Sequence, residues 1–180
     1  MRVRPAKDSR NHIPENYRAG MQEEPTIPRH TVRASQVEMT ELVLPNDTNQ
    51  LGNLLGGRLM HLMDIAMAIA AARHSGLVCV TASVDEINFL HPIRLGQVVI
   101  LHASVNRVFR TSMEAGVKVY CEDLKSGKRT HTNSAYMTFV GLNAEGRPTP
   151  SPQVIAESEA EKRRFEQALQ RRNHRLGRQL

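Results

Sequence analysis

Tryptophan is absent from the 180 residues, and aromatic side chains make up only 4% of them. A base-stacking surface for nucleic acid needs aromatic platforms, so this composition argues against one. No apolar run approaches the roughly 18 residues of a membrane span, and no membrane insertion is expected. The N-terminal stretch lacks the apolar core of a secretory signal, and its acidic residues and prolines make a poor transit peptide. Cysteine is scarce. Cys79 and Cys121 are too few for a disulfide framework or a zinc site, and each sits in a strand-like apolar run as a small hydrophobe. A cytoplasmic setting and no resident metal are the expectations.

What is present is 40% hydrophobic residues, enough for a core, in a length that suits one domain with tails. The formal charge of +6 is unevenly placed. Residues 1–34 carry seven Lys/Arg and four Asp/Glu, residues 35–150 carry ten of each, and residues 151–180 carry seven and four. The middle is neutral, whereas a nucleic-acid-binding fold usually bears its basic stripe on the body. The tails therefore read as solvated. Weak contact with an anionic polymer or membrane surface is the alternative. Deleting residues 1–30 or 155–180 would abolish such contact and spare any activity of the body.

Residues 1–34, with Pro5, Pro14, Pro25 and Pro28 among charges, read as a flexible N-terminal tail. The domain is expected over 35–152, followed by a charged helix and tail over 153–180. Val37, Met39, Leu42 and Leu44 alternate as in a strand, and the polar cluster 45–50 is a loop. Gly56 and Gly57 precede the most apolar stretch, 59–72, whose Ala and Met content predicts a helix stopped by Gly76. Strand-like runs follow at 78–90, 97–109, 112–121 and 129–142. A phase change in the first predicts a bulge near Asp85–Glu86. Ser158 and Glu161 form a capping-box pattern opening a charged helix with a thin apolar stripe of Phe165, Leu169 and Leu176. The fold class is α+β: a long central helix wrapped by a curved antiparallel sheet, the hotdog arrangement, with a peripheral C-terminal helix.

Asp64 is the most informative residue. A carboxylate inside an apolar helix is costly unless it is paired or functional. Pairing with Arg73 or an interface residue is the structural alternative. Gly57 lies seven residues earlier, about two turns of helix, so both can share one side. The glycine pair allows close approach of a substrate, and the helix N-terminus offers free N–H donors to an oxyanion. Asn49, in the preceding loop, can position a water or a carbonyl, or simply form a turn. Asp47 has the same ambiguity, with turn formation favoured. Met60, Met63 and Met67 suit either the lining of a flexible apolar tunnel or plain core. Thr81 and Ser83 alternate with apolar residues and are candidates for the site's side of the sheet.

The segment from Pro45 to Gly57, followed by Met63-Asp64, resembles the hotdog acyl-CoA thioesterases. These are the bacterial short- and medium-chain hydrolases and the cytosolic brain-type acyl-CoA hydrolase. Ala71-Ala72-Arg73-His74, Val80-Thr81-Ala82-Ser83-Val84-Asp85, Asn88-Phe89, Pro92-Ile93, Leu95-Gly96, Thr111-Ser112-Met113-Glu114 and Phe139-Val140-Gly141-Leu142 continue the likeness in order. It spans roughly residues 35–155. The resemblance implies a catalytic carboxylate at Asp64 and an Asn at Asn49 supplied by the partner subunit. It also implies a homodimer with sites at the interface, and a trimer of dimers. Leu55 departs from the aromatic or His that often precedes the paired glycines in the family.

The implied chemistry is hydrolysis of acyl-CoA to free acid and CoA. Asp64 acts as general base on water, or alternatively attacks the carbonyl itself, with the Gly57 N–H as oxyanion donor. No cofactor is expected, since the CoA thioester is the substrate and CoA the product. Gly56, Met60, Thr81, Ser83, Arg110 and Ser112 are the substrate- and CoA-binding candidates. Arg110 leads the cations that could meet the CoA phosphates. A non-catalytic acyl-CoA-binding or regulatory hotdog protein is the alternative. A dehydratase using His61 with an acid lacks any supporting motif.

Overall fold

The computed structural model describes residues 27–89 and 91–177. Its elements are β1 (Arg29–Thr31), β2 (Val37–Leu42), α1 (Gly56–Ser75), β3 (Val78–Val84), β4 (Val98–Val108), β5 (Ser112–Glu122), β6 (Arg129–Leu142), β7 (Gln153–Ile155) and α2 (Glu159–Gly177). Five strands form one antiparallel sheet in the order β2-β4-β5-β6-β3.

Alternation along the strands gives the sheet two unlike faces. Val99, Leu101, Ala103 and Val105 of β4, Met113, Ala115, Val117 and Val119 of β5, and Met137 and Phe139 of β6 are all buried. They meet Leu59, Leu62, Met63, Ala66, Met67 and Ala70 of α1 in one cluster. Each large apolar side chain so buried is worth about 1.5–3 kcal/mol. The alanines at 66, 70 and 71 keep the helix surface thin, so the sheet can curl closely around it. Gly76 ends α1 in a left-handed conformation (φ +69°) that favours glycine, its N–H bonded to the Ala72 carbonyl at 2.8 Å. One long helix in a curled antiparallel sheet is the hotdog fold.

Three expectations change. The ordered unit reaches into the segment read as a tail: β1 pairs in parallel with β7, and Val32 and Ser35 are buried. The Ser35 hydroxyl donates to the Val32 carbonyl at 2.7 Å, and its oxygen accepts the Val105 N–H at 2.9 Å. Three residues are too short to show a period, and their partner lies at the far end of the chain. The expected tail over 1–26 lies outside the described residues, as do 178–180. Next, β3 ends at Val84, and its bulge falls at Ala82 rather than near Asp85–Glu86. The phase change read from sequence was real, but apolar Ala82 concealed the extra residue.

Finally, α2 docks on the outer face of the sheet through arginines as well as through Phe165 of its thin apolar stripe. The Arg171 guanidinium lies 3.6 Å from the Tyr136 ring centroid, and Arg107 lies 4.0 Å from that of Phe165. Arg171 donates to both carboxylate oxygens of Glu114, at 3.0 and 2.7 Å, and Glu114 is fully buried. Arg175 donates to both oxygens of Asp85, at 2.7 and 2.9 Å. A guanidinium can stack and fork at once, so a basic helix can bury a face without a wide apolar stripe. The capping box at its start is formed: Ser158 N–H donates to Glu161 at 2.9 Å, and Glu161 N–H to the Ser158 hydroxyl at 3.3 Å.

Candidate active site

The loop before α1 is built by its own polar side chains. Asp47 accepts Arg58 Nε at 2.9 Å, and its carbonyl accepts the Leu55 N–H at 2.9 Å, tying the loop to the first helical turn. Asp47 is therefore a structural anchor. The Asn49 side-chain oxygen accepts the N–H groups of Leu51 and Asn53, at 2.9 and 3.1 Å. With that oxygen engaged, the exposed Asn49 amide presents its NH2 group outward, without an acceptor among the described residues. Asn49 makes no hydrogen bond to Asp64 within the protomer.

Helix α1 begins at Gly56 itself, and Leu55 at its N-cap provides no side-chain cap. The first-turn N–H groups, those of Gly56 and Gly57 among them, thus lack intrahelical acceptors at the positive end of the helix dipole. Gly57 is exposed, and a Cβ placed there would meet nothing within 4 Å. Beside Gly56 the space is taken: a Cβ there would lie 3.5 Å from the Phe89 ring.

Two turns along, Asp64 accepts the Thr81 hydroxyl at 2.7 Å and has no cationic partner among the described residues. Arg73, the candidate partner on the same helix, instead donates to the Gln36 carbonyl at 2.7 Å. Thr81 sits opposite Phe139, on the face turned to α1. Past the Ala82 bulge the phase changes, and Ser83 pairs with Thr138 on the outer face. Thr81 and Ser83 thus go to opposite faces. Ser112, opposite Val140, also faces outward, and Arg110 is exposed on the β4–β5 turn. Asp64, Thr81, Gly56 and Gly57 share the α1 side within one protomer. Ser83, Arg110 and Ser112 are not brought to it there. Met60 is exposed near the helix start, whereas Met63 and Met67 are core.

Sequence reasoning noted Asn88-Phe89 in the family likeness but gave Phe89 no role. Its position after a strand pointed nowhere, and only the fold lays its ring on Gly56. A cavity of about 460 Å³ lies elsewhere, on the outer face, lined by Glu38, His102, Lys118 and Tyr136 among others. None of the candidate residues borders it. No cluster of metal-ligating side chains occurs among the described residues. Nor is any helix among them long and apolar enough to cross a membrane.

The family described as the thioesterase superfamily matches residues 51–128. The chain is 41% identical over 146 residues to YkhA of Bacillus subtilis, named an uncharacterized acyl-CoA thioester hydrolase, covering 81% of this chain and 85% of that protein. An acyl-CoA hydrolase of Staphylococcus aureus, solved with butyryl-CoA and CoA, superposes with a TM-score of 0.80 at 35% identity, covering 84% of this chain and 93% of that one. A hexameric acyl-CoA thioesterase superposes with a TM-score of 0.82 at 38% identity, covering 84% and 97%. Some relatives are longer: at 44% identity, the chain spans 24% of mouse acyl-coenzyme A thioesterase 11. Solved variants of the S. aureus enzyme replace one Asn, one Asp and one Thr by Ala, separated by 15 and 17 residues. Asn49, Asp64 and Thr81 stand at the same separations of 15 and 17.

Proposed function

Given that this chain belongs to the thioesterase superfamily and is a thioester hydrolase, we propose that it hydrolyses acyl-CoA to a carboxylic acid and CoA, with Asp64 as general base. The observation that carries this reading is the state of Asp64. It lies in an apolar helix, oriented by one neutral hydroxyl, without a cation among the described residues, on the helix whose uncapped N-terminus presents Gly57. A base needs a carboxylate with a free lone pair, and a counter-ion would blunt it.

In this mechanism Asp64 takes a proton from water as the water oxygen bonds to the thioester carbonyl carbon. The Gly57 N–H meets the charge that builds on the carbonyl oxygen. The C–S bond then breaks, and the CoA thiolate leaves with the proton held by Asp64. Thr81 donates to one oxygen of Asp64 and turns the other to the water. Asn49 comes from the partner subunit and, with its oxygen engaged by its own loop, acts as a donor to the water or the carbonyl oxygen. Gly56 and Met60 border the acyl end, Arg110 and Ser112 meet the CoA phosphates, and Ser83 supports the strand from behind.

Dimerisation through the β3 edge supplies Asn49. β3 is the last strand of its sheet and exposes Val78, Val80 and Val84. An apolar open edge favours pairing with another strand. The hexameric relative supports a trimer of such dimers.

The test is CoA release from a panel of acyl-CoAs, followed by thiol detection, for wild type and Asp64→Asn. Turnover should fall about 100- to 10,000-fold in the variant, the span of general-base catalysis. Undiminished turnover in the variant removes Asp64 as the base. Absence of turnover in the wild type with CoA-ester binding retained replaces the enzyme with a binding protein.

A further inference from the structure

Residues 85–89 leave β3 and reach the N-terminus of α1 without belonging to any helix or strand. Among the described residues they make one backbone–backbone hydrogen bond, from the Asp85 N–H to the Tyr136 carbonyl at 3.1 Å. The rest of their course is set by side chains from two other elements. From the outer face, one nitrogen of Arg175 on α2, Nη1, donates to both oxygens of Asp85, and both side chains are largely buried. From β6, the buried Asn133 donates its NH2 group to the Asn88 carbonyl. One residue beyond the second hold, Phe89 lays its ring against Gly56. The ring is half-exposed, as are Leu55 and Met60 around the same helix start. An apolar wall beside the oxyanion donors suits an acyl chain, not the charged nucleotide of CoA.

We propose that the C-terminal helix is a working part of the substrate site: Arg175, through Asp85, is a positioning residue that holds Phe89 as the wall of the acyl channel, and so sets chain-length selectivity. This rests on the thioesterase reading above. It runs against the expectation that residues 155–180 are dispensable for hydrolysis. The Arg175 guanidinium grips the Asp85 carboxylate by both of its oxygens through charge-assisted hydrogen bonds, which are stronger than neutral ones. Errors of about 1 Å near a reacting thioester can cost up to about 100-fold in rate.

The experiment compares kcat/KM for butyryl-CoA and lauroyl-CoA in wild type, Arg175→Ala, Phe89→Ala and the double variant, with Lys162→Ala on the exposed start of α2 as control. Loss of folded enzyme lowers both substrates equally and leaves their ratio unchanged, so the ratio is the readout. Arg175→Ala and Phe89→Ala should shift it in the same direction, by about threefold or more, a size typical of coupling between sites. The double variant should match Phe89→Ala, since Arg175 acts through that ring. Lys162→Ala should leave the ratio alone. Should Arg175→Ala not fold, Arg175→Gln removes the ion pair while keeping a polar side chain and should move the ratio the same way. An unchanged ratio in the Arg175 variants, or an effect that adds in full to Phe89→Ala, overturns the inference while the thioesterase reading stands. A wild type that hydrolyses neither ester overturns both.

Discussion

Asp64 and Glu114 are two carboxylates on opposite sides of one sheet, and they are treated in opposite ways. Glu114, on the outer face, has no exposed surface and accepts two bonds from Arg171 and one from Asn106 at 3.0 Å. Asp64, on the inner side, accepts one hydroxyl. The first has its charge matched and its lone pairs filled, which is what a structural carboxylate in a low-dielectric place requires. The second retains basic capacity. In the proposed mechanism the catalytic acid is therefore marked by its unfilled lone pairs and not by its burial.

Breaking the outer carboxylate should cost stability and spare chemistry. Arg171→Ala strands a buried charge and should destabilise by about 3–5 kcal/mol, read by chemical denaturation. Replacing the pair together, with Glu114→Leu and Arg171→Leu, should recover much of that loss. A single variant as stable as wild type would show that the pair contributes nothing net.

The inner carboxylate should respond the other way. Thr81→Val removes the only donor to Asp64 among the described residues at nearly constant volume. A hydrogen bond to a charged group is worth about 1.5–3 kcal/mol, so kcat should fall roughly 10- to 100-fold with an unchanged unfolding midpoint. An equal loss of stability and activity would place Thr81 with the structural residues.

A third polar group, His74, gives the smallest effect. It is fully buried at the end of α1. Its Nε2–H donates to the Pro152 carbonyl at 2.9 Å, while Nδ1 has no partner among the described residues. Burial pushes its pKa below the ordinary 6.5 against the opposing pull of the Pro152 carbonyl, and the His30 ring 5.5 Å away adds to the lowering. Below pH 6.5 the unfolded chain takes up a proton that the folded chain refuses. Stability should thus decline as pH falls through 6.5, level off below the folded value, and be flat above neutrality. Thermal melts of His74→Gln should show a shallower decline; an identical slope would assign the effect to other groups.

The contrast between the carboxylates also explains what was legible. Asp64 stood out because apolar residues surround it in sequence, and the helix and glycine pair were plain from composition. Glu114 lay in an alternating strand at a position that reads as solvent-facing, and only α2 reveals that it is covered. The arginines of α2 looked like solvated charge because stacking of Arg171 on Tyr136 and of Arg172 on Phe109 joins residues far apart in the chain. The parallel pairing of β1 with β7 was invisible for the same reason. The bulge was detected as a change of phase but misplaced, since the residue that breaks the pattern is not the one that falls out of register.

That bulge has a further consequence. Ala82 is the one residue of β3 without a partner on β6. Upstream of it the strand serves the helix side through Thr81, and downstream it serves the outer helix through Asp85. It acts as a punctuation mark between two sentences written on one strand, bending the chain between them without changing which β6 residues either one meets. Removing that single residue would make Thr81 and Ser83 neighbours opposite Phe139 and Thr138, so both sentences would keep their readers and only the kink between them would be lost.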